Sequence, residues 1–202
     1  MRKRTLLAAT AAVAGLVAGS LPATGAPAPT RIIEDPLGDS NFVNDQGTGD
    51  GSTGDQTAAD AGTVSDLLAV DISNDKKNLV VTFHTEAPPP AETGIGYRLR
   101  VNPDEADGQH CLLIEAYFPG KNNTLTAPMA QLIDACATET TPLEIFGTTV
   151  TIPRDAHVAF AKGATLKAPQ AQAFLYSGNE TAGAKHPVAD TTKVGTDYKL
   201  KK

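Results

Sequence analysis

Tryptophan is absent from this chain of 202 residues, and aromatic side chains make up only 5% of it. Its core must therefore come mainly from Val, Leu, Ile and Ala, a set that suits β-sheet packing. Apolar runs are short as well. The run Leu6 to Val17 falls below the roughly 20 residues that cross a bilayer, and no later segment is apolar enough to serve as a span. No Asp-x-Asp-x-Asp-Gly loop, His-Glu-x-x-His or Gly-x-Ser-x-Gly occurs, so the EF-hand, the zinc-protease helix and the α/β-hydrolase elbow are missing. The histidines His84, His110, His157 and His186 lie too far apart in sequence for a local zinc pair.

What is present at the start is the three-part layout of a secretory leader. Arg2, Lys3 and Arg4 precede the apolar run, and Pro22-Ala23-Thr24-Gly25-Ala26 supplies small residues for a peptidase. This predicts a signal peptide over 1–26, cut after Ala26 or, as the second choice, after Ala28; an uncleaved anchor or a buried helix is the competing reading. No Cys stands at the processing site, which speaks against a lipoprotein. Taking those 3 basic residues from 17 leaves 14 against 23 acidic ones, a net charge of −9. Nucleic acid and anionic lipid are then poor partners, and no integral membrane span is expected. The remaining roughly 175 residues are one domain's worth of chain.

Cys111 and Cys136 both fall in the exported part, where thiols tend to oxidise, and a structural disulfide is predicted. In the chain-entropy model such a link contributes about 3 kcal/mol. A nucleophilic thiol with a His partner is the alternative.

Residues 27–66 read as an acidic, Gly- and Asp-rich segment, part loop or disordered, and 67–202 as the folded domain. There the period becomes two. Leu68, Val70 and Ile72 alternate with polar or small residues, Asn74 to Asn78 makes a turn, and Leu79, Val81 and Phe83 continue the pattern. Tyr97, Leu99 and Val101 form a third strand, and Cys111 to Phe118, apolar on both rows, a more central one. Further strands are predicted at Met129 to Cys136, Leu143 to Phe146, Thr148 to Ile152, Ala171 to Tyr176 and Thr196 to Leu200. One short helix is expected over Ala156 to Lys162, with Gly163 as its cap. The sum is an all-β fold, an antiparallel β-sandwich of immunoglobulin-like or jelly-roll type with one short helix.

The segments Asp35-Pro36-Leu37-Gly38-Asp39, Asp66 to Asp71, Asn78 to Phe83, Thr149 to Arg154, and Ala189 to Thr192 with Asp197-Tyr198 resemble exported bacterial DOMON-like sandwiches. These are related to carbohydrate-binding module family 9 and to accessory domains of glucodextranase-type enzymes. The resemblance implies a secreted, non-catalytic binding module, with a glycan or cell-envelope component as partner and calcium as a stabilising ion. Closely spaced Asp and Asn on a Gly-rich backbone can wrap that ion, so Asp35, Asp39, Asn41 and Asp45 are the candidate ligands. A solvated polar linker is the other reading of the same residues. Sugar stacking would fall to Tyr97, Tyr117, Tyr176 or Tyr198, with Tyr97 and Tyr117 put first; for each, a half-buried strand residue is the favoured reading.

Two alternatives stand beside the binding module. One is an envelope-associated structural or protein-interaction factor, which requires an exposed apolar patch or strand edge. The other is a small secreted hydrolase, for which Glu115 with Asp134 is a candidate glycosidase pair. Gly38-Asp39-Ser40 with Asp155-Ala156-His157 is a second candidate set. No catalytic residue is assigned.

Overall fold

The predicted strands bury one alternate row, or both at Leu112–Phe118, and two sheets result from bringing those rows together; a bulge between Leu67 and Ala69 buries Leu67 and leaves the expected Leu68 half-buried. The computed structural model describes residues 27–37, 66–86, 94–102, 111–121, 124–176 and 188–201. The strands are β1 (Thr30–Glu34), β2 (Leu67–Asn74), β3 (Asn78–Thr85), β4 (Ile95–Asn102), β5 (Leu112–Phe118) and β6 (Met129–Asp134). They continue as β7 (Glu139–Phe146), β8 (Thr149–Pro153), β9 (Thr165–Leu175), β10 (Val188–Thr191) and β11 (Tyr198–Lys199). All pairings are antiparallel, in the order β1-β2-β3-β8-β7-β6-β5-β4-β9-β10, with β11 on the start of β9. The fold is an all-β sandwich that is nearly closed like a barrel.

β7 makes the corner. Its residues up to Leu143 pair with β6, and from Glu144 onward it pairs with β8. A first sheet (β1, β2, β3, β8 and the end of β7) thereby faces a second (the start of β7, β6, β5, β4, β9 and β10). Between them lie Val70 and Ile72 of β2, Leu79, Val81 and Phe83 of β3, Tyr97 and Leu99 of β4, and Ile114 of β5, all in one cluster. Truncating a side chain in such a core costs roughly 2–5 kcal/mol.

The opposite seam is closed by single hydrogen bonds. The Leu67 amide donates to Asp190 Oδ2 at 2.8 Å, and the Thr196 amide to the Ile32 carbonyl at 2.7 Å. Gly195 permits this approach, since a Cβ there would sit 2.1 Å from the Ile32 oxygen.

Strands begin earlier in the chain than the alternation indicates, with β1 lying inside the segment read as loop. A bulge between Arg31 and Ile33 puts both Ile32 and Ile33 into the core, which breaks the period of two. β9 also starts earlier than Ala171. Ala168 at φ 44° and Pro169 interrupt its pairing with β4, and the Pro169 carbonyl accepts the Gly195 amide instead.

The expected helix is corrected to one 3-10 turn, Val158–Phe160. His157 is fully extended and its ring accepts the Ala159 amide, while Ala161 turns away at ψ 156°, so no second helical turn can follow. His157 Nδ1 is thus an acceptor and Nε2 carries the proton toward Asp134 Oδ2, 3.0 Å away. That bond ties the turn to the β6–β7 hairpin, where Cys136 is joined to Cys111 with Cα atoms 5.3 Å apart. Among the described residues no helix is long and apolar enough to cross a membrane.

Candidate functional site

Antiparallel registers align side chains into rows across a sheet. On the outer face of the first sheet one such row runs Arg31, Asp71, Thr82, Thr149, Phe146. At a strand spacing of about 4.8 Å its four steps cover about 19 Å. Arg31 Nε donates to Asp71 Oδ1 at 2.5 Å, His84 Nε2 lies 2.8 Å from Asp71 Oδ2, and the Thr82 and Thr149 hydroxyls are 3.0 Å apart. Burial pushes the Asp71 carboxyl up, but the hydrogen bonds from Arg31 and His84 outweigh it and hold the group below the usual carboxylate value. It stays charged at neutral pH.

Phe146 ends the row at the β7–β8 turn, where Gly147 takes φ 56° to close the hairpin. Its ring is 86% exposed. The neighbouring row, Ser73, Val80, Thr151 and Glu144, borders a hollow of about 630 Å³ lined by Asn78, Pro142, Leu143, Glu144, Thr151 and Pro153. Every one of these groups is half-buried or exposed. The face is therefore wet, polar and set on rigid strands.

The second sheet has an equivalent row on its outer face: Gln131, Glu115, Arg98, Gln172, Thr191. Here all but the end of the row is shielded, with Glu115 at 0%, Arg98 at 2%, Gln131 at 6% and Gln172 at 7% exposure, while Thr191 is exposed. Arg98 Nε donates to Glu115 Oε1, the Tyr117 hydroxyl to Glu115 Oε2, and Gln131 Nε2 to Glu115 Oε2 at 3.1 Å. The Arg98 guanidinium also lies 4.9 Å from the centre of the Phe174 ring. Tyr117, Phe174 and Tyr176 pack beside this network under Leu125 as a second, small core.

The sequence-predicted residues separate on this frame. Tyr97 is fully buried, stacked on Phe83 at 5.7 Å and edge-on to Phe118 at 5.5 Å, because its row is the core row of β4. Tyr117 lies 4.5 Å from the Tyr176 ring centre. Burial pushes both phenols well above their ordinary value, and the Glu115 charge adds to the shift at Tyr117. Neither ring offers a face for stacking. Among the described residues the open aromatic ring is Phe146, and the signal for it was available: Leu143 and Ile145 facing inward leave Glu144 and Phe146 facing out.

Glu115 and Asp134 do not form a carboxylate pair. Their ladder partners are Gln131 and Leu112, three positions apart on β6 and β5, so the two groups point to opposite faces. Asp134 instead accepts the amides of Cys136 and Ala137 at 3.0 and 3.1 Å and the His157 ring. Those bonds outweigh its burial and keep it below the usual carboxylate value. Of the candidate calcium ligands only Asp35 is placed, half-buried just after β1 with its amide on the Leu68 carbonyl. Asp39, Asn41 and Asp45 lie outside the described residues, as do the leader and Gly38 to Ser40. Among the described residues no three His, Cys, Asp or Glu side chains gather as a metal site.

No protein-family model matches this chain, nor does any curated protein or solved structure.

Proposed function

We propose that the chain is a secreted, non-catalytic binding module that holds a glycan on the open face of its first sheet. The observation that carries this reading is the row from Arg31 to Phe146. It combines a charged carboxylate with its arginine, two hydroxyls and an exposed ring on one rigid surface. Sugars present hydroxyls that both donate and accept, and apolar C–H faces that suit an aromatic ring. Strand-borne groups lose little freedom on binding, which favours affinity. A row of about 19 Å suits an oligosaccharide better than a single sugar. The DOMON-like resemblance and the leader-like start agree with an exported sugar binder, with calcium at the Asp35 end as its stabilising ion.

A glycan array probed with the mature protein, with calcium and with a chelator, tests the reading. At least one glycan class should be retained, more firmly when calcium is present. An array on which the protein binds nothing under either condition contradicts it.

A further inference from the structure

Basic residues are outnumbered in this chain, 17 to 23. Yet Lys76, Lys77, Arg154 and Lys162 together line one hollow of about 690 Å³, where the β2–β3 turn, the end of β8 and the 3-10 turn meet. One carboxylate, Asp155, shares the wall. Asp75 stands at the turn, but its Oδ1 is occupied by the amides of Lys77 and Asn78, each at 2.7 Å. Lys76, Lys77 and Lys162 are exposed and make no ion pair among the described residues. Lys77 and Arg154 feel the Asp75 carboxylate and help to hold it below its ordinary value, but four basic groups against Asp75 and Asp155 leave positive charge around the hollow for a ligand.

Arg154 differs from the lysines in being fixed. Its Nε donates to the Phe160 carbonyl at 3.0 Å, and Nη1 donates to the carbonyls of Asp75 and Lys201 at 3.0 and 3.1 Å. These bonds hold the guanidinium plane and leave Nη2 shielded from solvent without an acceptor. The positive charge of Arg154 is thereby fixed at the wall of the hollow, where it adds to that of the lysines. The hollow is contiguous with the open face, sharing Asn78 and Pro153 with the one beside Glu144 and Thr151.

We propose that this hollow binds a phosphate or carboxylate group carried by the glycan on the open face. Arg154 is the fixed point of the site, and the three lysines close around the charge. Placing the anion on a glycan rests on the preceding reading, whereas the anion site itself does not.

Amide shifts of the mature protein, followed while sodium phosphate or sodium glucuronate replaces sodium chloride at constant ionic strength, test the site. Shifts should appear at residues 76–78 and 154–162 with one or both anions. Binding should weaken about tenfold or more in the Lys76→Ala/Lys77→Ala/Lys162→Ala variant. It should persist in Lys193→Ala, which removes an exposed lysine beside a different hollow. Whichever anion acts names the group. No shift with either anion, or equal affinity in the triple variant, overturns the proposal. On the array, acidic glycans retained by the wild type and lost by the triple variant would place the anion on the sugar. If every glycan fails while the anion shifts remain, the glycan reading falls and the anion site stands.

Discussion

The two outer faces of this sandwich carry polar rows of similar make-up and put them to different uses. Arg31–Asp71–Thr82–Thr149–Phe146 lies open to water, whereas Gln131–Glu115–Arg98–Gln172 is shielded, with only the end of its row, Thr191, exposed. In water an ion pair such as Arg31 with Asp71 adds only about 0.2–1 kcal/mol and its groups remain available to a ligand. In the dry setting, Arg98 and Glu115 depend on each other. A one-residue slip of β4 would turn Arg98, and one of β5 would turn Glu115, into the main core without its partner, so the shielded row also fixes strand register. The open row is where recognition can occur, and the shielded row is part of what holds the molecule in place.

Breaking the shielded row should have the largest effect. Glu115→Ala leaves the Arg98 charge buried without its carboxylate and should cost about 3–5 kcal/mol in urea unfolding. A loss below about 1 kcal/mol would mean that water reaches this face. Next in size is Gly96→Ala, where the added Cβ would meet the Phe174 ring at 2.2 Å. Moving that ring should cost about 1–3 kcal/mol by the same assay. An unchanged midpoint would show that Phe174 has room to give.

Acid sharpens the contrast by a smaller amount. The carboxyls of Asp71 and Asp134 lie below their ordinary value of 3.8. Their stabilising contribution is complete above that value and is lost as pH falls through the lower folded values. Melting temperatures should therefore drop below about pH 4, and less steeply in Asp71→Asn. A parallel slope in that variant would remove Asp71 from the account. The smallest effect on stability belongs to Phe146→Ala, within about 0.5 kcal/mol of wild type, because the ring touches mostly water.

Much of this architecture was legible because one face of each strand must be apolar. The β2–β3 hairpin, the core row of β4 and the doubly apolar β5 follow directly from alternation. β1 and the start of β9 did not, since a bulge and the Ala168–Pro169 interruption shift the period. Harder still was the difference between the faces. Asp71 and Glu115 look alike in sequence, each an acid between apolar neighbours. What separates them is coverage by residues remote in the chain, such as Phe174 and Tyr176 against Tyr117, and a period of two carries no information about that. The hint lay in the company they keep: Leu113 and Tyr117 beside Glu115, against Thr82 and His84 facing Asp71.

The most direct test of the account compares one stable variant with the wild type on the same glycan array. Phe146→Ala, checked for an unchanged melting temperature, should lose most of the signal that the wild type shows. An array pattern left intact by that substitution would contradict the assignment of binding to the open face.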